Sequence, residues 1–435
     1  MGEPRAGRES RHPGRPGALS RRAGSSAVLA ASHRSSPRPS AAGPVASLLG
    51  RLVPIGAITL VFNLGGGLIA PALPLYARAL GADYRALGLI GASHGLAFAG
   101  LTIPLGRASD RFGRRAVLLF SAIAVATAAG LYLLAGGVPG LAGAKLIEAA
   151  GWAAFWPALE AWVAERFGAR AGAAMGLAYG AYAAAFVVGT AAAGFVIEAG
   201  GLRAPFGCYL VTALLALGLI AALAGGRAMG RGHAGHATAI SPRVVARDPA
   251  GARRQRVLAY ATGFVYVYGL GTVLAFLPAY GVDRGLSAHA VGLLLAAYWI
   301  ARVLGSLGAG RTSDRIGRRA VLIPAIAAAA LGAGLIVAPA GPGALYAGAA
   351  LLGLAAGACA PTCVGLIADH VSAEDRGIAM GLFEAACGVS ILVSGLVGGY
   401  AAAAFGGGAP YAIVAVLAGA WTGVLACAER PGPGA

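Results

Sequence analysis

Four ionisable residues that are candidates for proton transfer lie inside long apolar stretches of the chain, where a charge is costly and usually has a function. Lys145 and Glu148 are three residues apart, so a helix would bring their side chains together. His94 and Glu384 lie in two other apolar stretches. A carboxylate in a medium of low dielectric takes up a proton more readily than one in water. These residues are therefore candidates for proton uptake and release, with Glu148 the first choice and Glu384 the second.

Each candidate also has a purely structural interpretation. Lys145 and Glu148 could form a static ion pair, and Glu384 could line a polar surface or cap a helix near its start. For His94 we favour a hydrogen-bonded core histidine over a titrating one, although unperturbed histidine changes charge near neutrality.

A second set of residues combines aromatic rings with polar edges, which is typical of a cavity for an amphipathic compound. The candidates for its wall are Asn63, Tyr266, Tyr268, Arg302, Tyr179 and Trp156. Arg302 could recognise an anion or pair statically with a carboxylate of the protein. Glycines beside Asn63 and Tyr268 predict helices that bend or pack closely at these positions.

The composition indicates which elements must position these residues. Hydrophobic residues make up 58% of the chain and charged residues 11%, against roughly 25% charged residues in a soluble domain. Backbone groups in lipid must bond within their own segment, which predicts helices. We therefore expect an all-α integral membrane protein with 12 transmembrane helices. The predicted spans are 52–76, 87–106, 116–136, 141–162, 172–197, 205–225, 257–280, 290–310, 320–338, 342–368, 377–400 and 408–428.

The net charge of +18 is dispersed over alternate connections between the predicted spans. Basic residues gather at 106–115, 163–171, 226–256 and 310–319. The positive-inside rule then puts these connections and both termini in the cytoplasm of a multi-pass protein of the cell membrane. A nucleic-acid surface needs its basic residues on one folded face, so we exclude nucleic acid as a partner.

A ten-residue basic segment occurs twice, at 106–115 and again 204 positions later at 310–319, with eight of ten residues identical. Such repetition predicts two related halves. In each copy an Asp can pair with the Arg four residues on, and we expect the first Gly to end a helix at a close backbone approach. The residues of interest are Gly106, Asp110, Arg111, Gly113, Arg114, Gly310, Asp314, Arg315, Gly317 and Arg318.

Two six-helix halves, a basic linker and the loop Gly-x-x-x-Asp-Arg-x-Gly-Arg-Arg after the second helix together resemble the major facilitator superfamily (MFS). The resemblance covers residues 50–428. It implies the MFS fold of two pseudo-symmetric six-helix bundles, which bind substrate between the halves and expose it to each side in turn. It also implies that Asp110 and Asp314 face helix starts of the other half and act as latches. The alternative is that the two loops only anchor the topology.

A glycine pattern in the fifth predicted span is similar to that of drug–proton antiporters within the same superfamily. Gly180, Gly189 and Gly194 keep the spacing, whereas Thr190 stands in place of the usual proline. The resemblance therefore points to the drug-efflux branch, with a departure at Thr190.

The predicted organisation is a disordered Arg-rich tail at 1–50, a six-helix half at 51–225, a basic cytoplasmic linker at 226–256 and a second half at 257–428. We interpret the chain as a secondary active transporter of small organic compounds, coupled to protons and directed toward efflux. The alternative is proton-coupled uptake of a metabolite such as a sugar or an organic anion, which Arg302 would suit.

Other classes of protein fit the sequence less well. The chain has no nucleotide-binding loop of the form Gly-x-x-x-x-Gly-Lys-Ser/Thr. A membrane enzyme or a non-transporting sensor is a remote alternative, because we find no nucleophile–base pair and no connection long enough for a soluble domain. All five cysteines fall in predicted spans. We expect a monomer without a metal or a cofactor, and not an enzyme.

Overall fold

The computed structural model describes residues 44–167, 171–224, 250–372 and 375–428, together with Gly2. The predicted tail therefore lies almost wholly outside the described residues, as does most of the predicted linker. The described residues form twelve α-helices and no strand. They are α1 (Pro44–Ala79), α2 (Tyr84–Phe112), α3 (Arg114–Leu134), α4 (Val138–Phe167), α5 (Ala171–Gly200), α6 (Ala204–Ala224), α7 (Ala250–Asp283), α8 (Ala288–Ile316), α9 (Arg318–Val337), α10 (Pro342–Asp369), α11 (Arg376–Phe405) and α12 (Ala409–Cys427).

The helices have the length and the surface of membrane spans. Eleven of those described are long and apolar enough to cross a bilayer. The other, α4, has 30 residues but carries Lys145, Glu148 and Glu160. Large apolar side chains are exposed on the outside, including Leu134 at 82% and Phe405 at 85%. Lipid rather than water is the solvent that such a surface requires, so the protein is a multi-pass membrane protein.

The second and eighth helices are longer than the sequence predicted. α2 and α8 continue to Phe112 and Ile316, through the first glycine of each repeated segment. Gly106 and Gly310 lie inside these helices, and no neighbouring atom comes within 4 Å of the position that a Cβ atom would take at either residue. The expectation that they end a helix at a close approach was wrong.

The glycines that end these helices are Gly113 and Gly317, whose φ angles are +91° and +93°. Side chains rarely tolerate this conformation, whereas glycine adopts it at little cost. The positive φ turns the chain directly into the next helix, so α3 and α9 begin one residue later.

The repeat is visible in local structure as well as in sequence. The Ala86 N–H donates to the Asp83 side chain over 2.8 Å at the start of α2. The Ala290 N–H donates to Ser287 over 3.2 Å at the start of α8, 204 positions on. Within the first half, α3 packs on α4 and α6, and within the second, α9 packs on α10 and α12. The fold is therefore two six-helix bundles of the same design.

The bundles meet along two helix pairs, α2 with α11 and α5 with α8. Small residues let these backbones touch. A Cβ atom on Gly88 would lie 2.8 Å from the Gly399 Cα, and one on Gly292 would lie 2.7 Å from the Thr190 carbonyl oxygen. The described residues from Leu48 onward accordingly form one compact unit.

Candidate functional site

The predicted acid–base residues of α4 form a closed network inside the first half. The Lys145 Nζ donates to Glu148 Oε2 over 2.8 Å, and the Tyr132 hydroxyl donates to the same oxygen over 2.6 Å. The Tyr209 hydroxyl donates to Glu148 Oε1 over 3.3 Å. Glu148 is 2% exposed. Three donors from α3, α4 and α6 thus bind this carboxylate. This arrangement agrees with the interpretation of Lys145 and Glu148 as a static ion pair.

His94 lies beside this network on α2. Its ring is half-buried and lies close enough to Lys145 and Glu148 to interact with them electrostatically. Its Nδ1 has no hydrogen-bond partner among the described residues, and its ring stacks on Phe98 with centroids 6.0 Å apart. His94 therefore belongs to the environment of Glu148 and lies within one half.

A second group of side chains lies where the two halves meet. We call it the interface cluster; its members are Trp156, Glu160, Tyr179 and Tyr182 from the first half, and Tyr266, Trp299, Arg302 and Glu384 from the second. Its rings are in contact. Trp156 stacks on Tyr179 with centroids 5.0 Å apart, and Tyr182 meets Trp299 across the halves at 5.6 Å.

Arg302 supplies the positive charge of the interface cluster. Its guanidinium lies 5.0 Å from the Trp299 ring centroid, a distance typical of cation–π attraction. It interacts electrostatically with Tyr182, Tyr266 and Tyr298. Its buried Nη1 has no hydrogen-bond partner in the described part of the chain. Aromatic rings therefore stabilise this cation, and no carboxylate in the described ranges forms an ion pair with it.

Two carboxylates supply the negative charge of the same cluster. The Tyr179 hydroxyl donates to Glu160 Oε1 over 2.7 Å. Glu384, on α11 of the other half, interacts electrostatically with Glu160. Among the described residues no donor or cation bonds to Glu384. Glu160 lies near the end of its predicted span, where a charged side chain can reach water, so its position in the sequence did not indicate this role.

Two of the predicted cavity residues are buried and contact their own helices. Asn63 is fully buried, and its Nδ2 donates to the Thr59 carbonyl of the same helix over 2.7 Å. Tyr268 is 2% exposed and packs against Phe264 of its own helix. The other four, Tyr179, Trp156, Tyr266 and Arg302, belong to the interface cluster.

The repeated segment has the same geometry in both halves. Arg114 donates to Asp110 over 2.5 Å and to Glu165 over 2.9 Å. Its counterpart Arg318 pairs with Asp314 at 2.5 Å and with Asp369 at 3.1 Å. Both arginines also donate to a serine, Ser109 and Ser313 respectively. Arg111 and Arg315 are exposed.

These two segments define what we call the basic-loop end of the molecule. The predicted pairs between each Asp and the Arg four residues on are present there. In both copies the pairs join helices of one half only. Glu165 of α4 binds the arginine at the start of α3, and Asp369 of α10 binds the arginine at the start of α9. Contacts of these carboxylates with the other half stay a prediction.

The opposite end of the molecule joins the two halves directly. Arg78, at the end of α1, donates to Asp283, at the end of α7, over 3.0 Å. The Tyr84 hydroxyl of α2 donates to the other oxygen of Asp283 over 2.6 Å. Arg78 also lies 5.2 Å from the Tyr84 ring centroid. None of these residues was selected from the sequence, since they stand at span ends.

No group of three or more His, Cys, Asp and Glu residues in the described ranges has the geometry to hold a metal ion. Cys359, Cys363 and Cys387 are buried and free.

Comparison with known proteins identifies the family. The profile of the Major Facilitator Superfamily matches residues 55–285 and 259–434. The tetracycline resistance protein of class E from Escherichia coli is 31% identical over 34% of this chain and 37% of its own length. Multidrug resistance protein 2 of Bacillus subtilis is 27% identical over 36% and 38%. The quinolone resistance protein NorA of Staphylococcus aureus is 24% identical over 34% and 38%.

The matched region therefore spans little more than a third of each curated relative. Solved structures extend the likeness in fold. A point mutant of the nucleoside transporter NupG superposes with a TM-score of 0.70 at 16% identity, covering 86% of this chain and 98% of that one. The human organic anion transporter MFSD10 gives 0.62 at 17% identity with the same coverage. With two six-helix bundles, a duplicated basic loop and a family profile that matches both halves, the chain belongs to the Major Facilitator Superfamily.

Proposed function

We propose that the protein is a secondary carrier that exports a small organic compound in exchange for protons by alternating access. One observation carries the proposal: charged and aromatic side chains of both halves meet in one cluster at their interface. A site built from two bodies that rock against each other is the arrangement that alternating access needs. Three matched relatives are named for resistance to tetracycline, to quinolones or to several drugs, which supports export.

The structure corresponds, in this proposal, to the state that is closed at the end opposite the basic loops. The contact of Arg78 with Asp283 and Tyr84 supports this assignment. Tyr179 of the interface cluster is 48% exposed and Glu160 is exposed too. Because both residues lie on the basic-loop side of their helices' midpoints, they support an opening toward that end.

For the proton site we favour Glu384 over Glu148. Glu148 already accepts three hydrogen bonds from its own half, and rocking of the halves leaves those donors in place. Glu384 has no such donor among the described residues and faces Glu160 of the other half. An uncompensated carboxylate beside a second one is costly to keep charged. Movement of the halves would change this cost, which is how proton binding becomes linked to the conformation.

Reconstituted protein tests the proposal. We expect a pH gradient to drive uptake of a resistance drug such as tetracycline into liposomes, and a protonophore to abolish it. Glu384→Gln should lose the gradient-driven flux by about tenfold or more and keep drug exchange without a gradient at a saturating drug concentration. Glu148→Gln should mainly lower thermal stability. Glu198→Gln, which changes a carboxylate with no described partner, is the control.

Several outcomes would contradict this proposal. Flux that is unchanged by the protonophore would exclude proton coupling. Loss of gradient-driven flux in Glu148→Gln but not in Glu384→Gln would identify Glu148 as the proton site. Flux in the inward direction in cells would favour the second candidate, uptake of an organic anion, which Arg302 supports because no carboxylate pairs with it in the described ranges.

We also propose that the protein lies in the cell membrane with both termini and the basic-loop end in the cytoplasm, on the basis of the positive-inside rule. Reporter fusions at each terminus, of a kind active on one side only, test this orientation. An active extracytoplasmic reporter at either terminus would reverse it.

A further inference from the structure

The interface cluster holds opposite charges that do not pair with each other. Arg302 and Glu384 both interact electrostatically with Tyr182 and with Tyr266, so the two charges flank the same rings. They form no ion pair within 4.0 Å, and neither has another charged partner in the described chain that bonds to it. Both side chains are half-buried, and a charge partly removed from water is stabilised when an opposite charge pairs with it. Both groups are therefore available to pair with a ligand that carries the opposite charge.

The positive side of the cluster is built to receive an anion. On α8, two buried donor groups, Trp299 Nε1 and Arg302 Nη1, have no hydrogen-bond partner among the described residues, and the Tyr298 hydroxyl lies beside Arg302. Tyr298 and Trp299 are each 1% exposed. All three groups can donate a hydrogen bond, and guanidinium with such neighbours suits a carboxylate.

The negative side of the cluster is built to receive a cation. Glu384 faces Glu160, and the rings of Trp156, Tyr179 and Tyr182 surround this side. Carboxylates and aromatic faces together attract an organic ammonium group.

We propose that the site binds an aromatic zwitterion, a molecule with an acidic group and an amine at opposite ends of a flat core. A simple cation would leave the donors of α8 unpartnered, and a simple anion would bring a third negative charge toward Glu160 and Glu384. A zwitterion satisfies both sides, while its core lies against Tyr182 and Trp299. This inference rests on the proposed transport function and names the substrate class of the same site.

Three matched compounds test the inference: a fluoroquinolone with a carboxylate and a secondary amine, its carboxylate ester and its N-acetyl derivative. Binding to the purified full-length protein is followed at neutral pH by the fluorescence of the quinolone. We expect the zwitterion to bind at least about tenfold more tightly than the ester, which is a cation, or the acetyl derivative, which is an anion.

Substitutions separate the two sides. Arg302→Gln should weaken binding of the zwitterion to the affinity of the ester and leave binding of the ester unchanged. Glu384→Gln should weaken binding of the zwitterion to the affinity of the acetyl derivative and leave binding of the acetyl derivative unchanged. Arg284→Gln is the matched control, because Arg284 follows the end of α7 and bonds to Tyr280 and to the Ala340 carbonyl, neither of which belongs to the interface cluster. Thermal unfolding of each variant identifies any that do not fold.

Equal binding of the three compounds to the unsubstituted protein would overturn the inference, whatever the variants do. An equal loss of affinity for all three compounds in Arg302→Gln would also overturn the inference, because a purely structural role of Arg302 predicts that result. These measurements use no gradient. A zwitterion preference without proton-driven flux would therefore refute the proposed function alone, and flux without the preference would refute this inference alone.

Discussion

The two ends of the molecule use the same kinds of residues for different contacts. At the basic-loop end, Arg114 and Arg318 each bind an Asp of their own segment and an acidic residue that ends a neighbouring helix of the same half. At the opposite end, Arg78 binds Asp283 of the other half. One end is organised within each half, and the other holds the halves together.

The repeat explains this difference. Glu165 and Asp369 are 204 positions apart, as are Arg114 and Arg318, so both halves kept the basic-loop geometry. The contact at the opposite end has no second copy. The positions equivalent to Arg78 and Asp283 are Val282 and Ala79. Duplication thus accounts for the local structure of the halves, whereas the contact that joins them depends on residues in which the halves differ.

The largest effect is expected from a side chain inserted between the halves. Gly88→Leu should place carbon atoms where the Gly395 carbonyl and the Gly399 Cα now lie. Overpacking of this kind costs about 1–3 kcal/mol, so we expect the opposite end to stay open and transport to fall about tenfold. Leu202 lies in the cleft beside Asp283. Labelling of Leu202→Cys by an impermeant maleimide, in a chain whose five native cysteines are replaced, measures the opening.

Gly100→Leu is the control for this substitution. Gly100 lies on the same helix with no atom within 4 Å of its Cβ position, so labelling and transport should be unchanged. Unchanged labelling in Gly88→Leu would show that the glycine contact does not close this end.

The next effect concerns the basic loops. If Asp110 and Asp314 also act as latches in the alternate state, Asp110→Asn and Asp314→Asn should each lower transport about fivefold, the equivalent of about 1 kcal/mol. They should shift the population toward the state described here, and so reduce labelling at the opposite end. Insertion into the membrane should be intact. Full activity in both variants would reduce the loops to topology anchors.

A smaller shift is expected when the joining contact at the opposite end is weakened. Arg78 and Asp283 are each 36% exposed in their side chains, and such pairs contribute about 0.2–1 kcal/mol. Asp283→Asn should therefore raise labelling at the opposite end by a few-fold at most. A double-mutant cycle with Arg78→Gln measures the pair itself. Additive effects of the two substitutions would mean that the ion pair contributes nothing to closure.

The smallest effect on stability is expected at the two acidic residues that bind the repeated arginines from the end of a neighbouring helix. Glu165 and Asp369 are 42% and 48% exposed in their side chains, so Glu165→Gln and Asp369→Asn should each change the free energy of unfolding by less than about 1 kcal/mol. Because the halves are equivalent here, we expect equal changes. Thermal unfolding in one detergent compares the two variants directly, and a large inequality would contradict the equivalence.

Much of the architecture could be predicted from the sequence, because span length and charge bias are local properties. All twelve predicted spans correspond to helices. Predicted helix ends were less accurate at Gly106 and Gly310, since a helix can pass through a glycine that meets no neighbour. Glu160, Arg78 and Asp283 were not found, because each acquires its role from a residue at least nineteen positions away.

The sequence indicated most residues of the candidate site but not which of them lie together. Tyr179, Trp156, Tyr266, Arg302 and Glu384 do come together, whereas Lys145, Glu148 and His94 form a separate network. Periodicity within a helix indicates which residues share a face, but it carries no information about which helix that face meets.

The sequence by itself therefore determined the class of protein: helical spans, two related halves and a repeated basic loop, all read from apolar length, charge and repetition. Tertiary structure alone decided which charges pair. It placed Glu148 among three donors inside one half and left Arg302 and Glu384, within the described part of the chain, without ion pairs at the interface between halves. The physical reason is that the cost of a buried charge depends on neighbours contributed by other helices.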